Sequence, residues 1–247
     1  MPNPNPKSFF SIIIPCLNEE HFLPLLLQDL TKQSYQNFEV IVVDGHSDDQ
    51  TQEVIKKFSS VKLLISKKRN VAYQRNLGAN KANGEYLLFF DGDNRLPINF
   101  LSVLHNQINR NRPDICSTMT ITNDSNFINR VMVILGNLFV YISVLAKHPM
   151  FAGACICVDK SIFTKFGGFN ESLTLSEDHE LVARYVKKGA KCRFYTTPKY
   201  YFSFRRFEHD GYYKVLYQWL LGLLTDLFKA DRIAQITNYE MGGKRYK

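Results

Sequence analysis

The sequence predicts an α/β fold, a mostly parallel central sheet with helices on both faces, followed by an apolar helical extension at the C-terminus. Three observations predict it. Short apolar runs rich in β-branched residues alternate with helix-patterned segments through the first half of the chain. The runs are apolar at nearly every position, the pattern of strands covered on both faces. Acidic or glycine-containing turns stop them, as the ends of sheet strands require.

The elements follow in order. Phe9 to Pro15 reads as a strand, and Cys16-Leu17-Asn18-Glu19-Glu20 leads into a helix with Pro24 in its first turn, where a missing N–H costs nothing. Phe38 to Val43 is a second strand, ended by Asp44-Gly45. A helix is expected from Ser47, which has capping-box spacing with Gln50. Val61 to Ile65 is a strand, Asn70 to Lys81 a helix closed by Asn83-Gly84, and Glu85 to Phe90 a fourth strand stopping at Asp91-Gly92-Asp93. The second half is less regular. Pro97 to Arg110 reads as a helix, Asp114 to Thr120 and Phe151 to Val158 as strands, the latter followed by a short helix and the turn Gly167-Gly168-Phe169. Ser176 to Lys188 is a helix that Ser176 can cap. Glu177 and Asp178 suit its positive end, and Lys187, Lys188 and Gly189 close it.

A chain of 247 residues can bury an ordinary core without staples. With no repeats, low-complexity tract or linker, one compact unit over residues 1–210 with an extension over 211–247 is the expected organisation. Apolar residues at 45% and charged residues at 22% exclude disordered, collagen-like and polytopic membrane proteins. The net charge of +8 calls for an anionic partner without choosing among nucleic acid, phosphate and lipid. Cys16, Cys116, Cys155, Cys157 and Cys192 form no CxxC pair and read as buried free thiols. They suit a cytoplasmic protein, and the proline-rich N-terminus starts no signal peptide.

In an open α/β sheet, ligands bind beyond the carboxyl ends of the strands. Three polar clusters fall there: Asn18-Glu19, Asp44, and Asp91-Gly92-Asp93. An Asp-x-Asp at a strand end can hold a hard divalent cation and leave positions open for phosphate oxygens. Neither a P-loop nor a G-x-G-x-x-G is present, so a diphosphate would be neutralised by metal and basic side chains.

Five segments in order, PCLNEE, VVDGHSDDQT, RNLGANKANGEYLLFFDGD, FAGACICVDKSIFTKFGGFNE and SEDHEL, resemble the signature segments of family 2 glycosyltransferases with a GT-A (Rossmann-like) fold. The resemblance runs from about Phe9 to Phe207. It implies a metal-dependent, inverting enzyme that uses a nucleotide-diphospho-sugar donor, a UDP- or GDP-sugar, with Mg²⁺ or Mn²⁺ as cofactor. The acceptor would be a glycan hydroxyl or a lipid-linked group. Carried over by position, Pro15, Asn18 and Glu19 frame the nucleotide pocket, and Asp44 contacts the base or ribose. Arg75 and Asn76 contact the nucleotide-sugar, and Asp91 lies against the ribose or sugar while helping Asp93 at the metal. Asp178, beside Glu177, is the catalytic base, and Arg205 and Arg206 belong to a basic-aromatic element near the diphosphate. The chain departs from the family pattern at Gly45-His46 and at Phe207. His209 stands where some GT-A enzymes use a late metal-binding histidine, but reads first as a solvated loop histidine.

Two other classes are weighed against this reading. A sugar nucleotidyltransferase would open with a glycine-rich loop, which Cys16-Leu17-Asn18-Glu19 is not. A basic nucleic-acid-binding domain would carry a recognition-helix, RRM or zinc signature, and none is present. Two apolar stretches, Val131 to Ala146 and Tyr212 to Phe228, carry basic and aromatic borders that suit helices lying in a lipid interface. At 16 residues the first falls short of the ~20 of a spanning helix. A core helix or a dimer contact is the competing reading. The expected setting is therefore cytoplasmic, peripheral on the inner face of the membrane, with an anionic membrane surface as partner and no nucleic acid.

Overall fold

The computed structural model describes residues 8–173 and 176–217. The expected extension therefore lies outside the described residues beyond 217, as does the N-terminus before residue 8. Seven strands form one sheet: β1 (Phe10–Cys16), β2 (Phe38–Asp44), β3 (Val61–Ile65), β4 (Tyr86–Phe90), β5 (Ile115–Ile121), β6 (Cys155–Asp159) and β7 (Cys192–Tyr201), in the order β3-β2-β1-β4-β6-β5-β7. All neighbours pair parallel except β6, which runs against both β4 and β5. Because β6 is reversed, its entry rather than its exit lies beside the carboxyl end of β4, where Cys155 pairs with Phe90.

The continuous apolar runs do what double burial requires. Ile12, Ile14, Val42, Leu88, Phe90, Cys155 and Cys157 face one core, and Ile13, Val43, Leu87, Phe89, Ile156 and Val158 face the other. The first core is covered by α1 (Leu23–Thr31), α2 (Thr51–Lys56) and α4 (Phe100–Asn111). The second is covered by α3 (Val71–Lys81), α6 (Lys160–Phe166) and α7 (Glu177–Lys187). Helices α5 (Phe127–Leu145) and α8 (Arg205–Asp210) flank the β5–β7 side. All five cysteines are free thiols, four of them buried.

The ordering of the strands creates the crevice. Pairing of β1 with β2 continues to Cys16 and Asp44, but pairing of β1 with β4 stops at Ile13 and Phe89, two residues before Pro15. Connections leave β1 toward β2 and β3, then return to β4 on the other side, which makes the β1/β4 boundary the switch point.

Several local expectations are corrected. Ser47 does not start a helix: its hydroxyl bonds to Asp44, and α2 begins at Thr51 with no side-chain cap. Ser176 stands at the N-cap of α7 in a left-handed conformation and makes no capping bond. The strand expected from Phe151 begins at Cys155. The apolar helix is longer than its charge-free stretch, because Asn126 caps it by accepting from Ile128 N at 2.9 Å, so α5 spans 19 residues. Strand β7 was not expected at all.

Candidate active site

The loops after β1 and β2 are laced together. Asn18, in a left-handed conformation that asparagine tolerates, accepts from Asp48 N at 2.8 Å and donates its own N–H to Ser47 Oγ at 2.9 Å. Glu19 N donates to Thr51 Oγ1 at 2.8 Å, and Gln50 N donates to Glu20 Oε2 at 2.9 Å. Asp44 is fully buried, and its carboxylate accepts from Ser47 N at 3.1 Å and Gln52 Nε2 at 2.7 Å. It thus shapes this loop pair from inside. Gln74 closes the same corner by donating to the carbonyls of Cys16 and Val43 at 3.0 and 2.9 Å. A Cβ on Gly45 would come within 2.8 Å of Gln74 Nε2, so a side chain there would have to displace the amide that closes this corner.

Two arginines organise the carboxylates of the crevice. Arg75, buried on α3, donates from Nη1 to Glu177 Oε1 at 2.6 Å and from Nη2 to Asp91 Oδ1 at 3.0 Å, with the Gly153 carbonyl at 3.3 Å. Its guanidinium also lies over the Phe169 ring at 5.2 Å. Burial alone would lower its pKa, but Glu177, Asp91 and Asp178 outweigh that and hold it charged. Burial, reinforced by Asp178, pushes the Glu177 carboxyl up against the pull of Arg75. Arg205, at the start of α8, grips Glu19 through both terminal nitrogens at 2.7 and 2.6 Å and reaches Asp93 at 3.4 Å. Burial pushes the Glu19 carboxyl up to about 7. Arg205 opposes the shift, while Asp93 and Asp91 add to it.

Asp178 is held from two sides. Its Oδ2 accepts from Gly153 N at 2.5 Å and its Oδ1 from His179 N at 2.8 Å. Gly153 is a positioning residue that sequence reading missed. The reversed β6 delivers it to the site, and a Cβ there would meet Arg75 Nη2 at 2.7 Å and Asp178 Oδ2 at 3.1 Å. Its signal was the glycine in FAGAC just ahead of an apolar strand.

Glu19, Asp91, Asp93, Arg75, Glu177, Asp178 and Arg205 are thus brought together, while Pro15, Asn18 and Asp44 form the β1/β2 rim. Two residues are placed differently. Asn76 spends its amide on the loop after α6, donating to Phe169 O and Glu171 Oε1 at 2.9 Å and accepting from Phe169 N at 2.8 Å. Arg206 pairs with Asp210 on its own helix at 3.8 Å, and His209 pairs with that same aspartate. Among the described residues no group of three or more His, Cys, Asp or Glu is arranged to hold a metal by itself. The Asp91–Asp93 pair offers only hard oxygen donors, which fit Mg²⁺ or Mn²⁺ if phosphate oxygens and water complete the shell. Beside Asp93 and Arg205 lies a cleft of about 480 Å³, lined also by Phe22, Thr122, Asp124 and Tyr201.

A sheet in this order, with one reversed strand and an acidic crevice at its switch point, is a GT-A fold. Residues 11–167 match the profile of glycosyl transferase family 2, and the chain belongs to that family. A dolichyl N-acetyl-α-D-glucosaminyl phosphate 3-β-D-2,3-diacetamido-2,3-dideoxy-β-D-glucuronosyltransferase of Methanococcus voltae is 36% identical over 91 residues, 34% of this chain and 28% of that protein. The match thus spans under a third of that relative's length. Among solved structures, S. aureus TarS 1-349 in complex with UDP superposes with TM-score 0.64 at 23% identity, over 78% of this chain and 60% of the other. The mannosyltransferase PcManGT of Pyrobaculum calidifontis, in complex with GDP-Man and Mn2+, gives TM-score 0.70 at 19% identity over 94% and 66%. The two alternatives, nucleotidyltransferase and nucleic-acid-binding domain, are left without support.

Proposed function

We propose that the protein transfers a sugar from a UDP- or GDP-sugar to a hydroxyl or lipid-linked acceptor, with inversion at the anomeric carbon. The observation that carries this reading is the meeting of Asp91, Asp93, Arg75, Arg205 and Asp178 at the carboxyl ends of β1 and β4. The nucleotide sits against the Asn18–Glu19 and Asp44 loops, with Pro15 at their base. Arg205, at the edge of the crevice, meets the diphosphate, and Arg206 follows it on α8. Asn76 acts through the Phe169 loop that it anchors.

Asp93 with Asp91 would hold Mg²⁺ or Mn²⁺, which when bound offsets the charge of the diphosphate leaving group. The acceptor oxygen attacks the anomeric carbon, the bond to the diphosphate breaks, and its electron pair leaves with the nucleoside diphosphate. Asp178 takes the acceptor proton. The Gly153 and His179 N–H groups fix the orientation of its carboxylate. A phosphate acceptor, already anionic, would need that base less. The UDP complex of TarS, the GDP-Man and Mn2+ complex of the mannosyltransferase and the lipid-linked sugar in the M. voltae enzyme's name support the donor, metal and acceptor classes. Five free thiols support a cytoplasmic setting.

The test is a panel of UDP- and GDP-sugars with Mn²⁺, Mg²⁺ or chelator. Asp178→Asn is expected to keep donor binding by calorimetry while losing about 10²–10⁴-fold in transfer to hydroxyl acceptors. Asp93→Ala is expected to lose the Mn²⁺-dependent part of donor binding. Wild-type turnover in Asp178→Asn, or donor affinity indifferent to metal, would overturn the assignments.

A further inference from the structure

Helix α5 turns its apolar side outward. It is long and apolar enough to cross a membrane, yet among its 19 residues only Asn129 and Ser143 are buried. At 100° per residue, Ile128, Ile134, Leu135, Leu138, Ile142 and Leu145 fall in one arc of about 120°. Each is at least 50% exposed. The opposite side is committed to the protein. Asn137 exchanges hydrogen bonds with Thr120 N and O at 2.9 and 2.8 Å, Ser143 Oγ accepts from Met150 N at 3.1 Å, and Val140 and Val144 pack on the core. Pulling α5 across a bilayer would strip these polar groups of their partners and place them in hydrocarbon, which is costly. Lying flat keeps them paired and removes only the outer arc from water.

Charge selects the occupant. No Asp or Glu occurs from Phe127 to Leu145, Arg130 stands in the first turn, and Lys147 and His148 follow the last. Two α5 helices packed antiparallel would bring Arg130 of one copy near Lys147 of the other. The acid beside Arg130, Asp124, precedes the helix and its carboxylate accepts from Asn126 N and Asn129 Nδ2, while Lys147 has no acid in α5 near it. Anionic headgroups meet both ends of the helix at once. The adjoining stretch 212–217, whose Val215 packs with Phe207 beside Met132 and Val133, adds exposed Tyr213 and Tyr217, the side chains that favour a bilayer's polar–apolar boundary.

We propose that α5 lies lengthwise in the interface of an anionic bilayer, with its Ile128–Leu145 arc in the lipid and Arg130 and Lys147 among the headgroups. The test is flotation of the full chain with phosphatidylcholine vesicles with and without phosphatidylglycerol. Binding should require phosphatidylglycerol and weaken with salt. Leu135→Glu/Leu138→Glu, at exposed positions, should reduce it about tenfold or more. Independently, an environment-sensitive dye on Leu138→Cys should shift to the blue when phosphatidylglycerol vesicles are added. Failure of the wild type to float, or equal flotation by the double variant, overturns the proposal. So does a dimer that the double variant dissociates, which would assign the face to a second copy. A Leu138→Cys thiol shielded from maleimide before lipid is added would instead assign it to residues 218–247, with the same consequence.

Discussion

Arg75 and Arg205 each hold two carboxylates and divide Asp91 and Asp93, on either side of Gly92, between them, yet they sit in different physical settings. Arg75 comes from the middle of α3, its side chain is 3% exposed, and its partners Asp91 and Glu177 join β4 to α7. Arg205 comes from the last named helix, is 16% exposed, and reaches Glu19 across 186 residues of sequence, with Asp93 as second partner. Similar chemistry therefore does two jobs. The buried arginine ties β4 to the helix that carries Asp178, while the one at the crevice edge is, under the proposed function, the one that would exchange its carboxylates for the diphosphate.

The largest expected effect breaks the inner knot. Arg75→Met leaves Glu177 buried without its counter-ion and Asp91 unpaired, and should cost about 3–5 kcal/mol by denaturant titration. Arg205→Ala should cost less, about 1–2 kcal/mol, because Arg205 is 16% exposed against 3% for Arg75, so water can take the place it leaves. Its main effect should be on ligand: donor affinity is expected to fall about tenfold or more, the loss of a charge-assisted contact. Calorimetry on both variants separates the jobs. If Arg75→Met loses donor affinity at full stability while Arg205→Ala loses stability at full affinity, the roles are reversed.

Sequence legibility follows the same division. The framework of β1, β2, β4 and α3 was readable because doubly buried strands are continuous apolar runs and Asn70 caps α3 as its type suggests, accepting from Tyr73 N at 2.8 Å. Asp91 and Asp93 stood out as site candidates because they end a strand. A helix start alone marked Glu177 and Asp178 only as acids suited to its positive end, and their site role came from the family resemblance. Strand β7 was not. It lies at the sheet edge, where exposed Arg193, Thr196, Thr197 and Lys199 interrupt its apolar pattern, and Pro198 falls where the register with β5 slips between Thr118 and Met119. Ser47 misled because its hydroxyl serves the buried Asp44 instead of a helix end. The Glu19–Arg205 pair has no local signature: only the fold brings the ends of β1 and α8 together.

The smallest expected effect sharpens the comparison most directly, through the pH dependence of stability. Glu19 titrates at its ordinary 4.5 in the unfolded chain and at about 7 in the folded one. Between those values the folded state holds a proton that the unfolded chain has released. The stabilisation this gives is complete below about 4.5 and is lost as pH rises through about 7. From pH 6 to pH 8 the loss should be about 1 kcal/mol in wild type, measured with chelator present. Glu177, also raised by burial, adds its own slope in both proteins, so the quantity to read is the difference between wild type and Glu19→Gln. A smaller slope in Glu19→Gln assigns that part of the loss to Glu19 giving up its proton beside Arg205. Identical slopes would mean that Arg205 holds Glu19 as an anion throughout, leaving Glu177 in the inner knot as the source of the slope.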